Sequence, residues 1–261
     1  MNPPGDTVTE PIREPEILAD IDHLPTEDDL PCDDGAPMET WLHRLQMNVL
    51  IDALELQWAG RRDFFVGGNM FLHFDPANRR QCRGPDVFLV LGVERRPRKS
   101  WVVWQEGMRF PDLIIELLSD STRETDFGAK KDLYERLFRT PEYYLYDPLS
   151  QEFHGCHLQS GRYQDIAPDG EGRIWSPVTG LHLAVRGEWL RWLGRDGQIL
   201  PTAREWADQL ARNALREKRR ADQAEQRADQ AEQRAGQERQ RAERLAARLR
   251  ALGIDPDAED R

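Results

Sequence analysis

Two segments of this 261-residue chain begin with proline–aspartate and run straight into unbroken apolar stretches: PDVFLVLGV (85–93) and PDLIIELLS (111–119). A strand that shows only one face to a core alternates apolar and polar residues. A continuous apolar run that starts at proline and is too short for a helix reads as a strand covered on both faces. Two such strands require a sheet with layers packed on either side, which excludes a simple helical bundle. The second run contains a glutamate, Glu116, at its centre. A buried carboxylate is costly unless its charge is compensated, so the segment demands a partner for Glu116.

The remaining pattern supplies the other elements. Trp41, Leu42, Leu45, Val49, Leu50, Ala53, Leu54 and Leu56 fall mostly at helical spacing and predict a first helix over about 38–58 with one broad apolar face. RDFFVGGNMFLHF (62–74) is strand-like, with Gly67–Gly68 marking a bulge or a close backbone approach. KSWVVWQEG (99–107) predicts a short strand or a strand-like connection. TDFGAKKDLYERLF (125–138) returns to helical spacing, EYYLYDP (142–148) is a strand that stops at proline, and QEFHGCHL (151–158) alternates like a hairpin arm. Further short strands are predicted at 181–185 and 189–193. Helix, strands, helix, strands in this order predict an α/β fold with a mixed sheet flanked by helices.

The two ends differ in kind from the middle. Residues 1–36 hold eleven acidic residues and one basic residue, Arg13, and are rich in proline. They predict a disordered acidic tail. That tail accounts for nearly all of the net charge of −11, leaving about −1 for the rest. The global acidity is therefore a weak argument against a polyanionic partner. Residues 37–200 form the expected globular domain, 201–252 a long helix, and 253–261 a flexible tail. The long helix repeats every seven residues, with Ala221/Ala224, Ala228/Ala231 and Leu249/Leu252 at the two seam positions. This predicts a coiled coil and a homodimer or higher homo-oligomer through residues 203–252, beside the other reading of a lone solvated helix held up by Ala, Gln, Glu and Arg propensity. Cys32, Cys82 and Cys156 have no zinc spacing and are expected as free thiols. No apolar run is long enough to span a bilayer, and the start lacks the basic-then-apolar pattern of a secretory signal. The chain is expected in the cytoplasm, with no membrane partner.

The acids carry the candidate chemistry. Asp86 stands at the mouth of one buried strand and Glu116 inside another. Two converging carboxylates suit a hard cation such as Mg²⁺, which acidifies bound water and neutralises charge on a phosphate. A nearby ammonium group can stabilise the same charge. From residue type and spacing alone, a second reading stands beside it: Asp86 caps a strand and Glu116 pairs with a core arginine. Asp112 shares a strand face with Glu116, but at four residues' distance it is about 13 Å away and cannot share its metal. His154, Cys156 and His157 alternate across two faces and make no metal set.

GPDVFLVLG followed by PDLIIELLSDSTRETDFGAKKDLYERLFRTPEYYLYDP resembles the Uma-two family of restriction endonucleases, within the PD-(D/E)XK nuclease superfamily. The resemblance covers roughly 37–200 and is densest over Pro111–Pro148. It implies a restriction-endonuclease-like fold with an α-β-β-β-α-β core, a metal-dependent endonuclease using Mg²⁺ (or Mn²⁺), and a nucleic-acid partner, in the first place DNA. Asp86 matches the proline-linked aspartate and Glu116 the strand glutamate, both implied as metal ligands. The usual superfamily lysine lies two residues after the glutamate, where this chain has Leu118. The resemblance instead implies Lys130, on the following helix, with Lys131 pointing away into solvent. Glu39, at the opening of the first helix, is the candidate for a further acidic site residue. Two other outcomes remain at this stage: a nuclease-fold protein that binds nucleic acid or a partner without cutting, and a coiled-coil scaffold in which Asp86 and Glu116 lie far apart.

Overall fold

The computed structural model describes residues 24–26, 28–30, 40–119 and 121–252. Glu39, Cys32, Asp120, most of the acidic segment and residues 253–261 lie outside the described residues. The chain divides into two units, Met1–Ala203 and Arg204–Arg261.

The first unit opens with helix α1 (Trp41–Gln57). Thr40 caps it: the Thr40 side-chain oxygen accepts the His43 N–H at 3.2 Å, satisfying one of the donors a helix start leaves unpaired. There follow β1 (Phe64–Gly67), β2 (Leu72–His73), β3 (Cys82–Arg83), β4 (Val87–Leu91), β5 (Trp101–Val102) and β6 (Leu113–Leu117). A helical stretch, α2 (123–138), leads to β7 (Glu142–Tyr146), β8 (Phe153–Gln159), β9 (Arg162–Asp165), β10 (Arg173–Ser176), β11 (Leu181–Arg186) and β12 (Trp189–Leu193).

The main sheet runs β1-β4-β6-β7-β8-β9. Its neighbours are antiparallel except β6 and β7. Parallel strands cannot be joined by a tight turn, and α2 is the crossover that this pair needs. An antiparallel sheet β10-β11-β12 and a small sheet β3-β2-β5 complete the unit. The mixed sheet flanked by helices is as the sequence predicts.

The period of two along the central strands decides which residue faces what. Leu113, Ile115 and Leu117 of β6, with Val87 and Leu89 of β4, join a core containing Leu50, Ala53 and Leu54 of α1 and Leu183, Leu190 and Trp192 of the second sheet. Ile114 and Leu118, with Phe88 and Val90, pack on the opposite face against Leu133, Tyr134 and Phe138 of α2. Both faces are covered, which explains the unbroken apolar runs. Parity then places Glu116 on the α2 face, and Asp86 with it. The register Val87↔Ile115 brings Asp86 alongside Glu116. Leu118, at the position of the expected lysine, belongs to this second core and is about 1 % exposed.

Three local features differ from the sequence expectation. The helix expected at 125–138 starts at Arg123 and is not uniformly α: Asp126–Lys130 and Tyr134–Phe138 are π-helical turns. β9 and β10 fall in sequence too polar or too short for the alternation to register, while the run 99–107 gives the expected short strand, of two residues. Two pieces of the acidic segment lie on the domain: Trp104 Nε1 donates to Pro25 O at 2.8 Å, Lys99 pairs with Asp28, and Leu30 is buried.

The second unit is one helix, α3 (Ala203–Ala251), of 49 residues, none of them buried. Among the described residues no helix is long and apolar enough to cross a membrane.

Candidate active site

Asp86, Glu116 and Lys130 come together on the α2 face of the main sheet. Glu116 is fully buried at the centre of β6. Its Oε1 accepts a hydrogen bond from the Tyr134 hydroxyl at 2.8 Å, and its Oε2 lies 3.2 Å from Lys130 Nζ and 3.4 Å from the Asp86 N–H. The Leu117 N–H donates to Asp86 Oδ2 at 2.7 Å, tying that carboxylate to the neighbouring strand. The partner of Glu116 is thus a lysine from the next helix, not a core arginine.

Asp126 joins the cluster. It is fully buried, and Lys130 Nζ lies 2.7 Å from its Oδ1 as an ion pair within one turn of α2. Neither Asp126 carboxylate oxygen receives a well-aligned hydrogen bond from the described residues. Asp126, Lys130 and Tyr134 are four residues apart and look toward the strand end from one side of α2. The π-helical turn Asp126–Lys130 widens the helix where it faces the carboxylates. Such turns recur at functional sites because they re-aim side chains.

The electrostatics follow from burial and crowding. Burial first, and the Glu116 carboxylate second, hold the Asp86 pKa well above the usual carboxylate range. The same two causes raise Asp126, against the pull of Lys130. For Lys130, burial works against the charged form, but Glu116 and Asp126 outweigh it, and its pKa is raised. The lysine is therefore firmly protonated. The cluster sets three carboxyl groups, Asp86, Glu116 and Asp126, against the one ammonium of Lys130.

Gly68 helps hold Asp86 in place. A Cβ on Gly68 would come within 2.2 Å of the Asp86 carbonyl oxygen, and the Asn69 N–H donates to Pro85 O at 3.1 Å. The close approach expected from Gly67–Gly68 is an approach to the site itself. Gly68→Ala is expected to push the 85–86 backbone away and to destabilise the fold by about 1–3 kcal/mol, as overpacking does; denaturant unfolding measures it, and wild-type stability would contradict the account.

The other sequence candidates separate. Glu39 lies outside the described residues. Asp112 accepts the Leu91 N–H at 2.7 Å and lies 3.5 Å from Arg109, away from the cluster. Lys131 is not a solvated bystander: it is half-buried, with Nζ 3.7 Å from Asp165 of β9. His154 pairs with Glu152 and His157 faces Glu142, so the two do not share a site.

Two contacts had no clear signal in the sequence. Tyr134 reads as core packing, and only its i+4 spacing from Lys130 hinted at the cluster. His43 of α1 reaches the end of β6: its Nε2 is 3.0 Å from Leu117 O, and its Nδ1 is 2.8 Å from Thr40 Oγ1. A carbonyl only accepts, so Nε2 carries a proton and donates to it. This bond ties α1 to the strand residue next to Glu116.

A family model described as "Putative restriction endonuclease", Uma2, matches residues 32–186. That is more than half of the chain. The chain belongs to the Uma2 family. The Uma2 match takes in α1, β4, β6 and α2, the elements that carry the cluster, and ends with β11; α3 lies beyond it. Among solved structures, the chain is similar to "a putative nuclease belonging to DUF820" from Anabaena variabilis ATCC 29413, at 17% identity and a TM-score of 0.43, covering 59% of this chain and 90% of that one. No curated protein matches the chain.

Proposed function

We propose that this Uma2 protein is a Mg²⁺- or Mn²⁺-dependent endonuclease that hydrolyses phosphodiester bonds in DNA. The observation that carries the reading is the contact of Lys130 Nζ with Glu116 Oε2 at 3.2 Å, in a site where position 118 offers no lysine. It gives a buried carboxylate–ammonium pair beside Asp86, in a chain whose family is described as restriction endonucleases.

The side chains fit a divalent cation. The donors are all hard oxygens, three carboxyl groups share one ammonium, and burial first and the neighbouring Glu116 carboxylate second raise the pKa values of Asp86 and Asp126. Among the described residues no group of three or more His, Cys, Asp or Glu side chains is arranged to hold a metal alone. Mg²⁺ does not require one, since it is commonly held by one or two carboxylates with waters and substrate phosphate oxygens. Asp86 and Glu116 are the residues that would hold it. When bound, the ion supplies a water of lowered pKa and neutralises charge on the phosphate.

The chain's own groups do the rest. The Tyr134 hydroxyl fixes Glu116 Oε1, so the carboxylate cannot rotate away from Asp86. The Leu117 N–H fixes Asp86 Oδ2 in the same way. Lys130 stays protonated and acts as a donor, not a base: it steadies the attacking water or the negative charge that grows on the phosphate oxygens. Asp126 holds Lys130 at the strand end.

The test is cleavage of supercoiled plasmid, linear duplex DNA and single-stranded RNA with Mg²⁺, Mn²⁺ or chelator, for the wild type and Asp86→Ala. Metal-dependent nicking of DNA, lost in the variant while circular dichroism is unchanged, is the expected result. Undiminished cleavage by Asp86→Ala overturns the assignment. Binding of DNA without cleavage in either metal makes the protein a nuclease-fold binder instead, and cleavage of RNA alone replaces the substrate.

A further inference from the structure

Helix α3 is 49 residues long, about 74 Å at 1.5 Å per residue, and buries none of them. Its own charges do not support it alone. Counting side chains four apart, five pairs are oppositely charged (Arg204–Asp208 and Arg234–Glu238 among them) and four are like-charged, such as Arg216–Arg220 and Glu225–Asp229. Such pairs contribute only a few tenths of a kcal/mol each and nearly cancel here. A helix of this length without a stabilising charge pattern points to a partner.

The partner is read from the heptad. Alanine occupies one seam position at every seventh residue from Ala207 to Ala242, and Leu249 follows. The other seam position carries Leu210, Ala224, Ala231, Leu245 and Leu252, interrupted by Glu217 and Glu238. The residue preceding each first seam position is arginine five times in succession: Arg220, Arg227, Arg234, Arg241 and Arg248. The residues following the second seam position include Glu225 and Glu232.

These flanks distinguish the two ways of pairing two copies. In an antiparallel pair, the arginine column of one helix faces the arginine column of the other, in every register. In a parallel pair, each flanking residue meets the opposite flank of its partner five positions on. Arg220 then meets Glu225 of the second copy, and Arg227 meets Glu232. Parallel pairing sets each seam glutamate against its own copy, a like-charge contact that needs a cation beside it. A residue at the second seam position packs against the residue that follows its counterpart. Each seam glutamate is followed by a cation, Glu217 by Lys218 and Glu238 by Arg239, whereas the leucines and alanines at that position are not. Arg234, which would meet Arg239, is the one unfavourable flank, and Glu238 offsets it.

We infer that α3 is a parallel two-stranded coiled coil with a second copy of this chain. The charge complementarity is specific to that occupant, because both columns lie on the same helix. Since α3 follows directly on the first unit, parallel pairing tethers two such units at the same end. That consequence, two phosphodiester-cleaving sites for the two strands of one duplex, rests on the proposed function; the pairing does not.

Full-length protein tests the pairing without any cleavage assay. Light scattering at about 10 μM is expected to give the mass of two chains. Under a glutathione redox buffer, Ala207→Cys and Leu249→Cys are each expected to form covalent dimers faster than the wild type with its native cysteines. An equimolar mixture of the two variants is expected to form no faster cross-link. Glu225→Arg combined with Glu232→Arg is expected to weaken dimerisation by at least about 10-fold, and adding Arg220→Glu and Arg227→Glu to restore it to within about 3-fold. A monomer, a mass of three or four chains, or cross-linking only in the mixture overturns the inference.

Discussion

Glu116→Gln is expected to lower metal-dependent cleavage by at least about 10³-fold while leaving the metal-free protein as stable as the wild type, to within about 1 kcal/mol, or more stable. The two effects share one cause. Three carboxylates crowd one ammonium, and Glu116 sits between Asp86 and Asp126, raising the pKa of both. Neutralising Glu116 removes that repulsion, and Lys130 keeps Asp126 at 2.7 Å as its counterion. The amide oxygen can take the place of Oε2, accepting from Lys130 and the Asp86 N–H, while the amide NH2 donates to the Tyr134 hydroxyl oxygen. The repulsion is useful only when a dication is present to absorb it. Mg²⁺ should therefore raise the melting temperature of the wild type and leave that of Glu116→Gln nearly unchanged. A variant several kcal/mol less stable, or one that still cuts at the wild-type rate, would show that Glu116 is a structural acid.

Lys130→Met is expected to do the opposite to stability. It strips the counterion from two fully buried carboxylates, Glu116 and Asp126. Removing one partner of a buried ion pair typically costs about 3–5 kcal/mol, because the other charge stays buried. Adding Glu116→Gln to Lys130→Met should recover a large part of that loss, since the two residues are in contact and their effects do not add. Cleavage should not return in the double variant. Denaturant midpoints of the two single variants and the double variant give the coupling directly. If Lys130 only balances charge, folded Lys130→Met, with Asp86 and Glu116 both intact, cleaves at close to the wild-type rate, and a role for the ammonium in the reaction is ruled out.

Much of the fold was legible because burial imposes a period on the sequence. The unbroken runs at 87–91 and 113–117 announce strands covered on both faces, while the register that sets Asp86 beside Glu116 was not legible. The Gly67–Gly68 signal was legible as a close approach, though not as an approach to Asp86. The polar strand Arg162–Asp165 was not legible, since an edge strand with little to bury carries no apolar alternation. Asp126 was legible only as a phosphate contact or a residue positioning the helix, and Tyr134 only as core or rim packing. Helical spacing aligned them with Lys130, but an aspartate at a helix start is equally a cap, and a buried tyrosine is equally core.

By itself, the sequence determined the α/β class, the two strands covered on both faces, and the heptad columns of α3. Each is a property of local period, and local period survives without knowing what packs where. Only the tertiary structure decided which cation serves Glu116. Lys130 is fourteen residues away, and its ammonium reaches Oε2 because α2 crosses from β6 back to the parallel strand β7, with Leu133 and Phe138 anchored in the sheet's second core. No spacing rule encodes that docking, because it depends on how two layers meet.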